Sequence, residues 1–281
     1  MALTGRTRVV SVWGCPVGHS RSPVMHNAAL AAMGLDWVYV PFNVLPESIP
    51  AAVAALRAFD MVGTNVTVPH KEAVIAHLDE IDDDARRVGS VNTIVNNAGR
   101  LKGYSTDGPG LLWDLERQGV SVDGKRVLLW GAGGSARAVG YALSQRGCSV
   151  RIANRTVERA VNLAELIGGD TEAIDQTGAS YADAVANADL LVNTTSLGMG
   201  PASIDLMPPV PDGALHAGQV VYDLVYVPET TLLLANAGSA GCRAIGGIGM
   251  LVCQGAVSLS HWTGRPLAEI PVDVMIAALA R

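Results

Sequence analysis

The chain has 281 residues, 49% of them apolar and only 16% charged, with a net charge of −6. At roughly 100–200 residues per domain this length sets an expectation of two domains, and the composition excludes a disordered chain. The acidic balance argues against nucleic acid, which asks for a basic patch. A few well-placed donors would still admit an anionic small molecule. No basic start followed by a long apolar run suggests a signal peptide, and no apolar run of about 18 residues suggests a membrane span. Cys15, Cys148, Cys242 and Cys253 are far apart, which reads as reduced thiols in a cytoplasmic protein.

Strands and helices alternate along the chain. Residues 8–14 read as a buried strand, followed by a helix with Ser22 as N-cap, Pro23 at its first position and Gly34 as its stop. A strand over 37–44, a helix over 46–58, a strand over 61–68 and a helix over 70–78 follow. Short strands around 91–95 and 101–104 flank the turn Asn96-Asn97-Ala98-Gly99. This order predicts a mostly parallel sheet. A connecting helix over 107–118 leads to a second series: strand from 125, helix 134–146, strand 149–153, helix 156–167, strands 189–193 and 219–224. Two helices, 249–262 and 272 to the end, close the chain and are free to pack back onto the first domain. The expected fold is therefore α/β. Residues 1–106 and 247–281 form one mostly parallel βαβ domain, and residues 107–246 form a second α/β domain.

The clearest local signal is the run RVLLWGAGGSAR, residues 126–137. An apolar strand runs into Gly131, Ala132, Gly133, Gly134, Ser135 and Ala136. Gly131 permits a sharp turn, Gly133 lets the backbone approach a pyrophosphate, and Ala136 lets the new helix lie close to the strand. Free amides at the helix start attract phosphate. An NAD enzyme usually places Asp or Glu after the next strand to bind the ribose 2′-hydroxyl. Here stand Asn154, Arg155 and Thr156, then Arg159. Two guanidiniums can clamp a 2′-phosphate, whereas without an anion they would oppose the helix dipole. The pattern selects NADP(H) and makes residues 107–246 a Rossmann-type NADP-binding domain, which leaves residues 1–106 and 247–281 as the expected substrate domain.

In the first domain, Ser20 and Ser22 precede a helix start, where a carboxylate would find hydroxyls and a positive dipole end. Thr67 and Lys71 flank Pro69 at a strand end. Asp107, in the run STDGPG, stands at the expected junction of the domains, with Asn92 on the strand before it. A lone lysine is usually solvated and Asp107 fits an N-cap, but a Lys–Asp pair facing a nicotinamide could move a proton while hydride moves. The histidines lack ligand-like spacing, and hydride chemistry needs no metal.

Together the runs PVGHSRSPVMHNAAL, GTNVTVPHKEAV, VGSVNTIV, STDGPG, GAGGSARA, ANRTVERA, NTTSLGM, VYDLVY and GIGMLVCQGA resemble the shikimate dehydrogenase family, in the family's order and over nearly the whole length. The resemblance implies reversible reduction of 3-dehydroshikimate to shikimate by NADPH, in chorismate and aromatic amino-acid biosynthesis. It implies that Ser20 and Ser22 hold the substrate carboxylate with Tyr226 nearby. Thr67, Lys71, Asn92, Asp107 and Gln254 would hold the ring hydroxyls, with Lys71 as acid–base and Asp107 as its partner. Thr194, Ser196 and Met199 would line the nicotinamide half, and Leu224, Gly247 and Met250 would close around the ring. The partner is thus a small molecule, and the family allows monomer or homodimer.

Four positions depart from the family pattern: Ser105 for Asn, Gly246 for Asp, Val227 for Asn and Gly255 for Ala. None removes a proposed catalytic group. A paralogue acting on quinate or an amino-substituted ring would favour NAD or change the carboxylate contacts. A non-catalytic NADP(H)-binding regulator would have lost Lys71 or Asp107.

Overall fold

The computed structural model describes residues 3–280 and divides into two units. One holds the residues up to Gly110 and those from Leu251 onward; the other is Leu111–Met250.

The first unit is built from β1 (Arg8–Gly14), α1 (Ser22–Ala32), β2 (Trp37–Asn43), α2 (Ile49–Ala58), β3 (Gly63–Val66), β4 (Glu80–Ile81), α3 (Asp83–Val88), β5 (Thr93–Asn97), β6 (Arg100–Tyr104) and the start of α4 (Asp107–Arg117). Its six-stranded sheet has the order β2-β1-β3-β5-β6-β4. β1 pairs in parallel with β2 and β3, and β4 with β6. The β5–β6 hairpin runs antiparallel to β3 and within itself. Its tight turn is Ala98-Gly99, both with positive φ, the backbone a two-residue hairpin requires. Val53, Leu56, Val66, Val74, Ile94 and Leu101 form much of the core on one face.

The second unit holds β7 (Arg126–Trp130), α5 (Gly134–Gln145), β8 (Ser149–Ala153), α6 (Val157–Ile167), β9 (Thr171–Ile174), α7 (Ala179–Asn187), β10 (Leu190–Asn193), β11 (Val220–Asp223), α8 (Leu232–Ser239) and β12 (Arg243–Gly246). The order β12-β11-β10-β7-β8-β9 has every neighbour parallel, the doubly wound arrangement that binds dinucleotides. The strands are near-continuous apolar runs, because helices cover both faces: Leu129, Val139, Val150 and Ile152 serve one core cluster, and Leu128, Trp130, Tyr181 and Leu191 another.

The chain returns to the first unit within α9 (Ile248–Thr263) and finishes in α10 (Val272–Leu279), which packs on α1. Trp262 of α9 donates its indole N–H to the Ile94 carbonyl at 2.9 Å. A Cβ on Gly63 would overlap that indole, so glycine admits the tryptophan.

Some local expectations are corrected. Ser22 is not the N-cap of α1; Arg21 is, and Ser22 is the first helical residue. The helix expected over 70–78 is a 3-10 turn, Ala73–His77, and the strand expected over 61–68 keeps only Gly63–Val66. β4, α3, β9, α7, α8 and β12 had no distinct sequence signal. Most are short or lie towards a sheet edge, and α3 (DDARRV) is too charged to show an apolar stripe. It is held instead by Asp82 accepting from the Asp84 N–H and by a left-handed Gly89, both standard end signals. No helix among the described residues is long and apolar enough to cross a membrane.

Candidate active site

Four predicted residues meet in the first unit. Lys71 follows β3, Asn92 precedes β5, Asp107 opens α4 and Gln254 lies on α9. Lys71 Nζ donates to Asp107 Oδ2 at 2.5 Å, and the two side chains are only 11% and 7% exposed. Asn92 Nδ2 donates to the other carboxylate oxygen at 2.7 Å. The Asn92 amide cannot be turned round. The Thr106 N–H, which can only donate, lies 2.8 Å from Asn92 Oδ1, so the amide nitrogen must face Asp107. That nitrogen also reaches Thr106 Oγ1 at 2.9 Å and Gln254 Oε1 at 3.3 Å. Asp107 sits in the first turn of α4, where the helix dipole favours its negative charge. The result is a lysine held by a fixed carboxylate, able to exchange a proton with an oxygen placed beside it.

Helix α4 reaches Gln254 only because Gly110 has no side chain. A Cβ there would lie 2.6 Å from Gln254 Cβ and 2.7 Å from its backbone nitrogen. Gly110→Ala is therefore expected to destabilise the protein by about 1–3 kcal/mol, the usual cost of overpacking, and to raise the KM of any ligand that Gln254 holds. Gly238→Ala, at a helical site with nothing within 4 Å of the new methyl, is the control and should be neutral or mildly stabilising. Equal melting temperatures for the two variants would contradict the close packing.

Ser20 lies in the loop after β1, Ser22 opens α1, and Thr67 directly follows β3. Ser20 Oγ accepts the Ser22 N–H at 3.3 Å, so Ser20 rather than Ser22 serves the start of α1. Thr67 closes on Gly14, where a Cβ would lie 2.6 Å from its methyl.

In the second unit, Gly131 has φ +112, and a Cβ there would lie 2.5 Å from Thr194 Oγ1. Thr194 Oγ1 donates to the Trp130 carbonyl at 2.6 Å, so this side chain helps shape the turn. Gly133 is exposed at the N-cap of α5, with no capping side chain and nothing within 4 Å of a Cβ position. Ala136 is fully buried in the core between α5 and the sheet. An uncapped helix start with open space over its glycine fits a pyrophosphate. After β8, Asn154 Nδ2 donates to the Thr156 carbonyl at 2.9 Å, while Arg155, Thr156 and Arg159 are exposed at the start of α6. No carboxylate occupies 154–156, so the donor set suits a 2′-phosphate.

Asp223, wholly buried at the end of β11, accepts from Asn193 Nδ2 at 2.9 Å, the Val225 N–H at 3.0 Å and Thr231 Oγ1 at 2.6 Å. Burial pushes its carboxyl pKa up, against the pull of these donors. Asn193 Oδ1 in turn accepts from Thr195 N–H and Oγ1. One carboxylate thus ties the loop of Thr194, Ser196 and Met199 to the loop of Leu224 and Tyr226. Gly247 is pressed onto Leu224, whose carbonyl a Cβ would overlap. Met250 is 5% exposed and packs among Ile245 and Tyr222. Asp114, its pKa also raised by burial, accepts from the Tyr222 hydroxyl at 2.6 Å and lies against Gly249.

Thr106, Asp223, Asn193 and Asp114 were not singled out from sequence. Thr106 had a signal, its place beside Asp107 in STDGPG. The others read as ordinary strand-end or helix residues until the contacts are seen. No group of three or more His, Cys, Asp or Glu side chains among the described residues is arranged to hold a metal ion.

Comparison with known proteins covers the same ground. Residues 12–94 match the shikimate dehydrogenase substrate binding domain, residues 114–198 the shikimate/quinate 5-dehydrogenase domain, and residues 247–280 the shikimate 5′-dehydrogenase C-terminal domain. The shikimate dehydrogenase (NADP(+)) of Moorella thermoacetica is 50% identical over 96% of this chain and 91% of its own length. That of Methanothermobacter thermautotrophicus is 45% identical over 99% and 98%. A crystal structure of a shikimate dehydrogenase in complex with NADP+ superposes with a TM-score of 0.92 at 39% identity, over 99% of this chain and 96% of that one. Likeness of this extent, running end to end through both units, decides the matter of descent: the chain belongs to the shikimate dehydrogenase family.

Proposed function

We propose that the chain is an NADP-dependent shikimate dehydrogenase, an oxidoreductase acting on a CH–OH group. It reversibly reduces 3-dehydroshikimate to shikimate on the route to chorismate and the aromatic amino acids. The observation that carries the reading is the Lys71–Asp107 pair locked by Asn92, in a chain whose second Rossmann strand ends on Asn154-Arg155-Thr156 with no acid at those positions. The first unit is the substrate domain and the second the NADP(H) domain.

The residues divide by chemistry. Ser20 and Ser22 hold the ring carboxylate, with Tyr226 beside it. Thr67, Asn92 and Gln254 take ring hydroxyls. Gly131 to Ala136 cradle the pyrophosphate, Asn154, Arg155, Thr156 and Arg159 hold the 2′-phosphate, and Thr194, Ser196, Met199, Leu224, Gly247 and Met250 surround the nicotinamide. When bound, the nicotinamide supplies hydride to the ring carbonyl carbon in reduction and takes it back in oxidation. Lys71 Nζ gives the carbonyl oxygen its proton in the first direction and recovers it in the second. Asp107 orients the ammonium and balances its charge. The ligands are small molecules, the enzyme acts as monomer or homodimer, and its place is the cytoplasm.

The test is an assay of shikimate and quinate, each with NADP and with NAD. Shikimate with NADP should be by far the fastest pair. Turnover confined to quinate with NAD would refute the assignment.

A further inference from the structure

The Lys71–Asp107–Asn92 set is not the end of its hydrogen-bond system. Behind Asn92 lies a buried group of hydroxyls and amides drawn from β3, β5, α9 and the segment before α4. Thr93 and Ser258 are both 0% exposed, and their hydroxyl oxygens lie 2.7 Å apart. Asn65 Nδ2 donates to Thr93 Oγ1 and to Ser258 Oγ, each at 3.0 Å. It also lies 3.1 Å from the Asn92 carbonyl, an acceptor only, which fixes which way the Asn65 amide points. Asn65 Oδ1 accepts from the Tyr39 hydroxyl at 2.7 Å. Ser258 Oγ donates to the Gln254 carbonyl one turn back, at 2.9 Å, and lies 3.3 Å from Thr106 Oγ1.

Hydrogen accounting orders these groups. Ser258 spends its single hydrogen on the Gln254 carbonyl, so between Thr93 and Ser258 it is the acceptor. Thr93 has Ser258 Oγ at 2.7 Å and Asn92 Oδ1 at 3.2 Å within reach of its hydrogen, and the shorter contact draws it to Ser258. Asn92 Oδ1 is then left to Thr106, whose N–H and hydroxyl both reach it. Ser258 thus holds Gln254 directly through its carbonyl, and the pair reaches Asn92 through Asn65, whose amide nitrogen lies 3.0 Å from both hydroxyls and 3.1 Å from the Asn92 carbonyl. Satisfied buried networks of this kind are rigid, and leaving a member unpaired costs more than the bond itself returned.

We infer that Thr93 and Ser258 are positioning residues for the reaction: acting through Asn92 and Gln254, their hydroxyls fix the geometry of Asp107 and hence of Lys71. This rests on the reading of Lys71 and Asp107 as the acid–base pair. Neither residue needs to touch the substrate.

The experiment compares Thr93→Val, which keeps the shape and deletes the hydroxyl, with Thr93→Ser, which keeps the hydroxyl and trims a methyl, and adds Ser258→Ala. Thr93→Val should lower kcat/KM for shikimate by about 10-fold or more, since small misplacements in a positioned site carry losses of up to 10²-fold. Its KM for NADP should stay at the wild-type value, because the change lies in the other unit. Thr93→Ser should recover most of the activity, and Ser258→Ala should follow Thr93→Val in the same direction. Thr93→Val with wild-type kinetics would overturn the inference. So would Thr93→Ser as impaired as Thr93→Val, which would make the role one of packing, or an equal loss of NADP affinity, which would make the damage global. A wild-type enzyme with no shikimate activity would instead bring down the functional assignment, and this inference with it.

Discussion

Replacing Lys71 with alanine is expected to lower the turnover of shikimate by about 10²–10⁴-fold, the usual contribution of a general acid–base group. Shikimate binding should change far less, because Asn92, Thr67 and the Ser20 loop remain. The geometry behind this is narrow. Lys71 Nζ lies 2.5 Å from Asp107 Oδ2, and Asn92 holds the other carboxylate oxygen, so the ammonium has a fixed place beside the carboxylate. Deleting one member of a largely buried pair also strands the other charge, at a typical cost of 3–5 kcal/mol, so the melting temperature of Lys71→Ala should fall. Asp107→Asn separates the two effects. It keeps the shape, removes the negative charge, and should lower turnover with a smaller loss of stability. Steady-state kinetics with calorimetric binding of shikimate would decide the point. Turnover within a few-fold of wild type in Lys71→Ala would remove Lys71 from the chemistry.

The parts of the site that sequence disclosed are those whose chemistry is local. GAGGSA followed by Asn154-Arg155-Thr156 points to a phosphate site through glycine and charge within a few tens of residues, and the all-parallel sheet around it agrees with its apolar strands. Lys71 and Asp107 were visible as candidates because each stands at a strand end in polar company. Their pairing was a guess from chemistry, and the 2.5 Å contact is a product of the fold. Gln254 was raised only by family resemblance. On its helix it is a polar residue among apolar ones, and its partner Asn92 is 162 residues away. Thr93 and Ser258 are 165 residues apart; Thr93 lies in the run VGSVNTIV, but nothing in the sequence gives either residue a role. A threonine on a strand and a serine on a helix are common, and only the crossing of α9 over β5 makes them meet. Asp223 was hidden in the same way, since a strand-end aspartate is ordinary until three donors converge on it.

The departures from the family pattern can be weighed on the same footing. Gly255 lies under α1, where a Cβ would come within 2.5 Å of the Met25 terminal methyl and 3.0 Å of His26 Nε2. The missing methyl is thus matched to the side chains of α1 rather than to the Lys71 set. Gly246 ends β12 with only ordinary contacts at its Cβ position, so nothing in its packing demands glycine.

His26, the ring that Gly255 accommodates, is expected to contribute to the protein's loss of stability in acid. It is fully buried, stacked on Tyr39 at 4.3 Å and tilted against Trp262 at 5.6 Å, and neither ring nitrogen has a hydrogen-bond partner among the described residues. Burial lowers its pKa from 6.5 to about 3. Between those values the unfolded chain carries a proton on this residue and the folded chain does not, so falling pH favours unfolding. The loss begins near pH 6.5, amounts to about 1.4 kcal/mol per pH unit, and levels off near pH 3. Two units of acidification thus remove about 3 kcal/mol, a large share of an ordinary stability. Carboxylates such as Asp123, held low by its bond to Arg146, add acid losses at lower pH, while Asp114 and Asp223, raised by burial, act in the opposite sense. All of these are common to wild type and variant. His26→Phe and His26→Leu remove only the imidazole's share, and their slopes of stability against pH can be compared whatever packing change each introduces. Urea unfolding at several values from pH 7 to 4.5 should give a steeper decline for wild type than for either variant, by about one proton. Parallel slopes would mean that the folded protein protonates His26 as readily as the unfolded chain does.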